Sequence, residues 1–319
     1  MGLEPPGYPA AARSPGRRWR VREKSQERRG TAVVATGEAA EQPVDELLRN
    51  LDLERLDADL YLGDPGPGEG RLFGGMVAAQ AVIAAGRSVE PDRRLHSLHS
   101  YFLRPGRHDV PLRFVVSRIR DGRTFTTRHV TAHQAGEAIF DLSASFTLAE
   151  AGLAHQDPMP EAPGPEGLLD WEEERARVLG DPSARRIDTP IEVKLCDGPL
   201  SDAGEKSPAS QRNWMRVRGR LPDDPLVHTA MLVYATDRTL LGTGARPHGL
   251  PWGKRMSASL DHAVWIHRAP RLDGWLLYTS ESPIAQDGRA MIFGAIYTPD
   301  GLRVASVAQE GLIRVRRQA

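Results

Sequence analysis

The spacing of apolar residues changes period several times along this chain. Val44-Asp45-Glu46-Leu47-Leu48 opens a short amphipathic helix that ends before Tyr61. After a Gly/Pro loop over residues 63–70, Phe73-Gly74-Gly75 leads into Met76-Val77-Ala78-Ala79-Gln80-Ala81-Val82-Ile83-Ala84-Ala85-Gly86. That run is apolar nearly all the way round, which predicts a buried helix of small residues against which a sheet packs closely. From Leu95 the period becomes two: residues 95–103, 110–119, 124–132 and 138–148 read as four antiparallel strands, with Asp121-Gly122 and Ala135-Gly136 as turns. On the last of them Phe140, Leu142, Ala144 and Phe146 share one face, and Asp141, Ser143 and Ser145 the other.

Residues 151–210 break the regularity. Pro158, Pro160, Pro163 and Pro165 precede a charged helix over 166–179 and a loop rich in Asp, Gly and Ser, a pattern that predicts a long linker with one surface helix. A strand over 214–220 follows, then a second apolar helix over 224–242. Asp224 is its N-cap, Pro225 takes the first helical position and Gly242 closes it. Period two then returns over 258–267, 275–281, 291–297 and 304–315.

A helix followed by four strands therefore occurs twice. Local wording repeats as well: Ser97-Leu98-His99 answers Ser259-Leu260-Asp261, Asp121-Gly122-Arg123 answers Asp287-Gly288-Arg289, and Gly136 answers Gly301. One long apolar helix wrapped by a curved antiparallel sheet is the hotdog arrangement, so the expected fold is α+β, a double hotdog. The expected organisation is a basic, disordered tail over 1–43, an N-terminal hotdog over 44–150, the linker over 151–210, and a C-terminal hotdog over 211–319 that carries the chemistry.

One residue of the second helix is out of place. Leu226, Ala230, Val233 and Asp237 form a stripe at i, i+4, i+7 and i+11. Burial raises a carboxyl pKa, and the negative end of the helix opposes the charge further. Asp237 is either exposed where the helix leaves the core or kept for chemistry, and the first helix, with Gln80, Ala81 and Val82, has no acidic counterpart.

Composition narrows the classes of function. Lys plus Arg and Asp plus Glu are both 42, so the net charge is zero and argues against general nucleic-acid binding. No apolar run approaches the roughly 20 residues of a membrane span. Cys196 is the only cysteine, which rules out an intrachain disulfide and a cysteine zinc site and fits a reducing cytoplasm. No Gly-x-Ser-x-Gly elbow, phosphate loop or dinucleotide fingerprint is present. His96 and His99, three apart on a strand, point to opposite faces and do not form a metal site. What remains is Asp237 with polar residues on strands able to face it. Ser259 lies two before Asp261, and Gln309 interrupts the Ala305, Val307 face. A carboxylate, a hydroxyl and an amide that converge can hold and deprotonate a water. Gln309 also reads as a strand-end amide on solvent, and Asp261 and His262 compete for the acid–base role without the spacing ranking them.

Several runs together resemble the acyl-CoA thioesterase II family. They are Leu72-Phe73-Gly74-Gly75, His96-Ser97-Leu98-His99-Ser100-Tyr101-Phe102-Leu103-Arg104-Pro105-Gly106, Asp121-Gly122-Arg123, Pro247-His248-Gly249, Ser259-Leu260-Asp261-His262 with Trp265 and His267, and Ala308-Gln309-Glu310-Gly311. They span residues 44–315. The resemblance implies a double hotdog that hydrolyses acyl-CoA to fatty acid and CoA, without cofactor or metal, through an Asp, a Ser or Thr and a Gln. Those roles fall on Asp237, Ser259 and Gln309. Gly74, Gly75 and Met76, at a helix N-terminus, become candidates for polarising the thioester carbonyl. Arg104, Arg123, Arg268 and Arg289 become candidates for the CoA phosphates. The expectations are completed by an acyl-CoA partner, no nucleic acid, no membrane insertion, a cytoplasmic location and a homo-oligomer, a dimer or tetramer of double hotdogs. The alternatives are a hotdog enoyl-CoA hydratase and a non-catalytic acyl-CoA sensor.

Overall fold

The computed structural model describes residues 43–185, 189–200, 205–250 and 254–316. The expected tail over 1–43, apart from Pro43, lies outside the described residues. In chain order the first half holds α1 (Pro43–Leu51), the hairpin β1 (Glu54–Asp57) and β2 (Leu60–Gly63), the buried helix α2 (Gly74–Gly86), and strands β3 (Arg94–Phe102), β4 (Leu112–Asp121), β5 (Phe125–Gln134) and β6 (Glu137–Thr147). A connection follows with β7 (Leu169–Asp170), α3 (Trp171–Leu179) and a turn of 3-10 helix (Pro182–Ala184). The second half holds β8 (Ile191–Leu195), β9 (Ser210–Val217), α4 (Pro225–Thr236) and the short α5 (Leu240–Thr243). It ends with β10 (Arg255–Ser259), β11 (Asp261–Ile266), β12 (Leu276–Gln286), β13 (Arg289–Tyr297) and β14 (Arg303–Val315).

All strands belong to one antiparallel sheet of 14, in the order β1-β2-β4-β5-β6-β3-β11-β14-β13-β12-β9-β8-β7, with β10 also paired to β14. The order reads the same from its centre outwards, since β3-β6-β5-β4-β2-β1 is matched by β11-β14-β13-β12-β9-β8. Each copy wraps one apolar helix, and the copies join where β3 pairs with β11, from Asp261–Tyr101 to Trp265–Ser97. This is a double hotdog.

The repeated unit is longer than helix plus four strands, because each copy begins with a strand pair, and of these strands the apolar pattern marks only the one expected over 214–220 and found as β9. The reason lies in where those strands run. β1 is an edge strand whose residues are all exposed, so it has no alternation to read. Residues 151–210 are accordingly not a plain linker: β8 within them is largely buried and pairs with β9, with Val193 opposite Met215. The helix there starts later than its charge suggests, at Trp171, where Asp170 caps it by accepting from Glu172 and Glu173 N–H. It is half-sunk rather than superficial, with Trp171, Glu172, Glu174 and Ala176 buried.

The two central helices run antiparallel and touch at both ends through glycine. A Cβ on Gly75, at the start of α2, would lie 2.8 Å from the Tyr234 carbonyl oxygen near the end of α4, and one on Gly86 would lie 2.4 Å from Leu226 at its start. Absent side chains at these points allow the backbones to approach closely. The N-terminus of α2 therefore meets the C-terminus of α4.

Register details align the two copies. The Ile139 carbonyl accepts from both Leu103 and Arg104 N–H, and the Val304 carbonyl accepts from both His267 and Arg268 N–H. Matching these forks sets Ser97 against Asp261 rather than against Ser259, so the resemblance of Ser97-Leu98-His99 to Ser259-Leu260-Asp261 is displaced by two residues. The strand break at Leu260, whose N–H bonds to the Glu310 carbonyl, separates β10 from β11 and accounts for the difference.

Candidate active site

The α4 helix ends one turn earlier than its composition suggests. Its last helical residue is Thr236, and Asp237 is the C-cap, with φ −76° and ψ −12°. Asp237 is not at a wet helix end: only 9% of it is exposed. Two side chains from the sheet converge on one of its oxygens. Ser259 Oγ, at the end of β10, donates to Asp237 Oδ1 at 3.1 Å, and Gln309 Nε2, on β14, donates to the same oxygen at 3.0 Å. Gln309 is fully buried and faces inward with Ala305 and Val307, so it is a core amide rather than a strand-end amide on solvent.

The second carboxylate oxygen faces the other helix. A Cβ built on Gly74 would lie 3.1 Å from Asp237 Oδ2 and 2.5 Å from the Phe102 ring. The Gly75 N–H, at the α2 N-terminus, favours the charged form of the Asp237 carboxylate. Two helix ends thus act on Asp237 with opposite sign. Its own C-terminus opposes the charge, while the N-terminus of α2 favours it. Burial dominates and pushes the Asp237 pKa up to about 6, with the hydrogen bonds from Gln309, Ser259 and Gly75 holding it from rising further. Such a carboxyl is a competent base near neutral pH.

Asp261 and His262 are ranked by their surroundings. Asp261 is half-buried and accepts the Glu310 N–H at 2.6 Å, a contact that fixes the β10–β11 bend. His262 is fully buried, and its Nε2 lies 2.9 Å from Thr236 Oγ1, the residue before Asp237. Burial lowers its pKa to about 4, so the ring is neutral at physiological pH. The Tyr278 hydroxyl reaches the Thr236 carbonyl at 3.3 Å, and burial with the nearby Asp237 charge pushes its pKa up. Thr236 and Tyr278 are additions to the site that periodicity does not flag, since each reads as an ordinary core position.

Of the remaining candidates, Gly75 N–H acts on Asp237, and Met76 N–H donates to the Phe73 carbonyl at 3.1 Å. The four arginines divide between the two ends of the molecule. Arg104 follows Phe102, whose ring meets Gly74, and Arg289 bonds to Glu310 at 2.9 Å beside Gln309. Arg123 is in a turn held by Arg93 beyond the C-terminus of α2. Arg268 follows β11 near Leu272, whose N–H meets His228 in the first turn of α4. Arg123 and Arg268 are thus about one helix length, ~20 Å, from Asp237. His96 bonds to Ser145 at 2.8 Å, while His99 packs edge-on against Trp265. The Cys196 thiol is half-buried, and burial next to Asp197 pushes its pKa up to about 11, which leaves it a poor nucleophile.

A shared antiparallel sheet around two apolar helices, with one buried carboxylate held by a hydroxyl and an amide where the helices meet, defines a protein of the double hotdog class. The comparisons with known proteins agree. A family model described as acyl-CoA thioesterase matches residues 186–312, and one described as the acyl-CoA thioesterase N-terminal domain matches residues 63–147. The chain is 39% identical to acyl-coenzyme A thioesterase 8 of Mus musculus over 84% of this chain and 88% of that protein. It is 36% identical to acyl-CoA thioesterase 2 of Haemophilus influenzae over 84% of this chain and 96% of that protein. Among solved structures it resembles the acyl-CoA thioesterase II TesB2 from Mycobacterium marinum, with a TM-score of 0.71 and 40% identity over 85% of this chain and 98% of that one. A hot dog fold protein from Alicyclobacillus acidocaldarius, at 19% identity and a TM-score of 0.69, shares the fold. The chain belongs to the acyl-CoA thioesterase II family and is an acyl-CoA thioester hydrolase. Among the described residues no helix is long and apolar enough to cross a membrane.

Proposed function

We propose that hydrolysis proceeds by direct attack of a water held by Asp237, Ser259 and Gln309, without a covalent enzyme intermediate. The observation that carries this reading is the convergence of Ser259 Oγ and Gln309 Nε2 on one oxygen of a buried carboxylate with a raised pKa. Asp237 takes a proton from the water, whose oxygen bonds to the thioester carbonyl carbon. The oxyanion so formed collapses, the carbon–sulfur bond breaks, and the CoA thiolate leaves and is protonated. Of the amides at the α2 N-terminus, Gly74 N–H is the one we assign to the oxyanion, since Gly75 and Met76 N–H are engaged elsewhere.

A cavity of about 190 Å³ beside this helix end has an apolar side formed by Leu47, Leu72, Phe73, Met76 and Tyr234 and a polar side that includes Glu46, Asn50, His108 and Arg238. We assign it to the acyl chain, which gives Met76 a part in substrate binding rather than in charge stabilisation. Arg104 and Arg289, at the same end as Asp237, are the arginines we assign to the CoA phosphates. The lone half-buried thiol of Cys196 supports a cytoplasmic enzyme, and the double hotdogs associate further into a dimer or tetramer, which sedimentation velocity tests.

The experiment is release of free thiol from saturated acyl-CoAs of increasing chain length, with wild type and Asp237→Asn compared at equal fold. The expected result is CoA release by the wild type with loss of at least about two orders of magnitude in the variant. Water addition to an enoyl-CoA with CoA retained would favour a hydratase, and binding without turnover a sensor.

A further inference from the structure

Two buried polar atoms next to the catalytic triad lack a hydrogen-bond partner: Gln309 Oε1 and His262 Nδ1. They belong to neighbouring positions across the sheet. β11 and β14 pair at Ala263–Ala308, which makes His262 and Gln309 the next residues along the two strands, and both are fully buried. The two unpartnered atoms thus belong to residues on adjacent strands, both fully buried.

The forks at Ile139 and Val304 place His262 on Leu98 of the first copy and Gln309 on Ala144. Leu98 and Ala144 are likewise a cross-strand pair, and both are buried. The fold therefore accepts two apolar side chains at this site, and apolar ones avoid desolvating a ring and an amide. The polar pair occurs only in the copy that carries Asp237, so packing alone does not account for it.

Proton counting distinguishes two arrangements of these groups. Thr236 has one hydroxyl proton and two neighbours at 2.9 Å, the Val233 carbonyl and His262 Nε2. If the proton goes to Val233, Nε2 of the neutral ring must carry the hydrogen. Bare Nδ1 then faces the carbonyl oxygen of Gln309, lone pair against lone pair. Turning the Gln309 amide over relieves that contact only by setting its carbonyl against the Asp237 carboxylate. If the Thr236 hydroxyl donates to Nε2, the hydrogen is on Nδ1 and is donated to Gln309 Oε1. Both buried side-chain atoms are then satisfied, at the expense of one bond to the Val233 carbonyl.

We propose that His262 is a positioning residue: as the Nδ1–H tautomer, held by Thr236, it caps Gln309 Oε1 and so keeps the amide N–H end of Gln309 directed at Asp237 and the attacking water. The chain Thr236–His262–Gln309–Asp237 closes on itself, because Thr236 and Asp237 are adjacent. Acid–base work by the ring is not part of this role, and the inference rests on the triad reading above only for its kinetic consequence.

The test combines kinetics with a spectroscopic signature. In His262→Leu, which reproduces Leu98 of the other copy, kcat is expected to fall about 10- to 100-fold with KM unchanged, the equivalent of one unpaired buried acceptor. His262→Asn, whose amide N–H takes the place of Nδ1–H, is expected to restore most of kcat, whereas His262→Gln, which mimics the Nε2 side, is not. Long-range ¹⁵N–¹H spectra of histidine-labelled wild type should show a ring with protonated Nδ1 and bare Nε2 that disappears in His262→Asn. Wild-type kcat in a folded His262→Leu would overturn the proposal, as would an Nε2–H ring. The spectrum needs no turnover. An Nδ1–H ring in a protein that does not release CoA would sink the water-activation reading and leave the hydrogen-bond chain standing.

Discussion

Replacing Asp237 by Asn separates the two consequences of burying a carboxylate where chemistry needs it. The variant keeps an Oδ1 to accept from Ser259 and Gln309 but cannot carry charge. In the unfolded chain the carboxyl titrates near 3.8, and in the fold near about 6, because burial penalises the ionised form. A folded pKa above the unfolded one means that the fold binds the proton more tightly. Wild type therefore loses stability as pH rises from about 3.8 to about 6, and the loss is complete above that range. The two values differ by about two pH units, and at about 1.4 kcal/mol each the ionised group destabilises the fold by about 3 kcal/mol at neutral pH. Asn is free of that penalty but gives up a charged acceptor for Gly75 N–H, which returns about 1 kcal/mol. The expected outcome is a variant more stable than wild type by about 2 kcal/mol at about pH 8, an advantage that shrinks by about 2 kcal/mol on going to about pH 4.5. Urea unfolding of both proteins at the two pH values measures it, with thiol release at about pH 8 recording the accompanying loss of kcat. A stability difference that does not change with pH would refute the raised pKa, and with it the reason for treating Asp237 as a base held ready at neutral pH.

Other outcomes follow from the same geometry. In wild type kcat/KM should rise with pH through about 6 and then level, since the proposed mechanism makes the ionised Asp237 the active form; a pH–rate profile flat across that value contradicts the assignment. Ser259→Ala leaves the carboxylate and Gln309 in place and should lower kcat about tenfold with little change in KM, while Ser259→Thr should retain activity. Gly75→Ala sets a methyl group 2.8 Å from the Tyr234 carbonyl oxygen and 2.6 Å from the Phe73 ring. Forcing the helices apart there should cost about 1–3 kcal/mol in urea unfolding. Cys196→Ser should leave kcat and KM at wild-type values, and alkylating reagents should not inhibit, because the thiol pKa is pushed up to about 11 and the thiol has no part in the proposed mechanism.

Much of this protein is legible before any coordinates. The all-round apolar runs behind α2 and α4, the return to period two after each, and the Asp224-Pro225 start of α4 are local properties, dictated by side-chain chemistry at fixed spacing. They suffice for two copies of a helix wrapped by four strands, and Asp237 is conspicuous among them as the one carboxylate at the end of an apolar stripe. What periodicity could not supply are the elements without a period and the relations between distant residues. β1 is wholly exposed, so its alternation is erased, and β8 is nearly wholly buried, so its alternation is erased from the other side. Whether Asp237 is wet or dry was decided by the antiparallel contact of α2 and α4, which brings Gly74 and Gly75 against it from more than 150 residues away. The same contact sorts Arg104 and Arg289 from Arg123 and Arg268, which are alike as turn residues and differ only in which end of the helix pair they occupy. His262 and Gln309 show the division most clearly. Each is visible in the sequence as a polar interruption, but that both are buried on adjacent strands beside the aspartate, where the other copy has Leu98 and Ala144, depends on strand register. Register is a property of the paired sheet, and tertiary packing sets it.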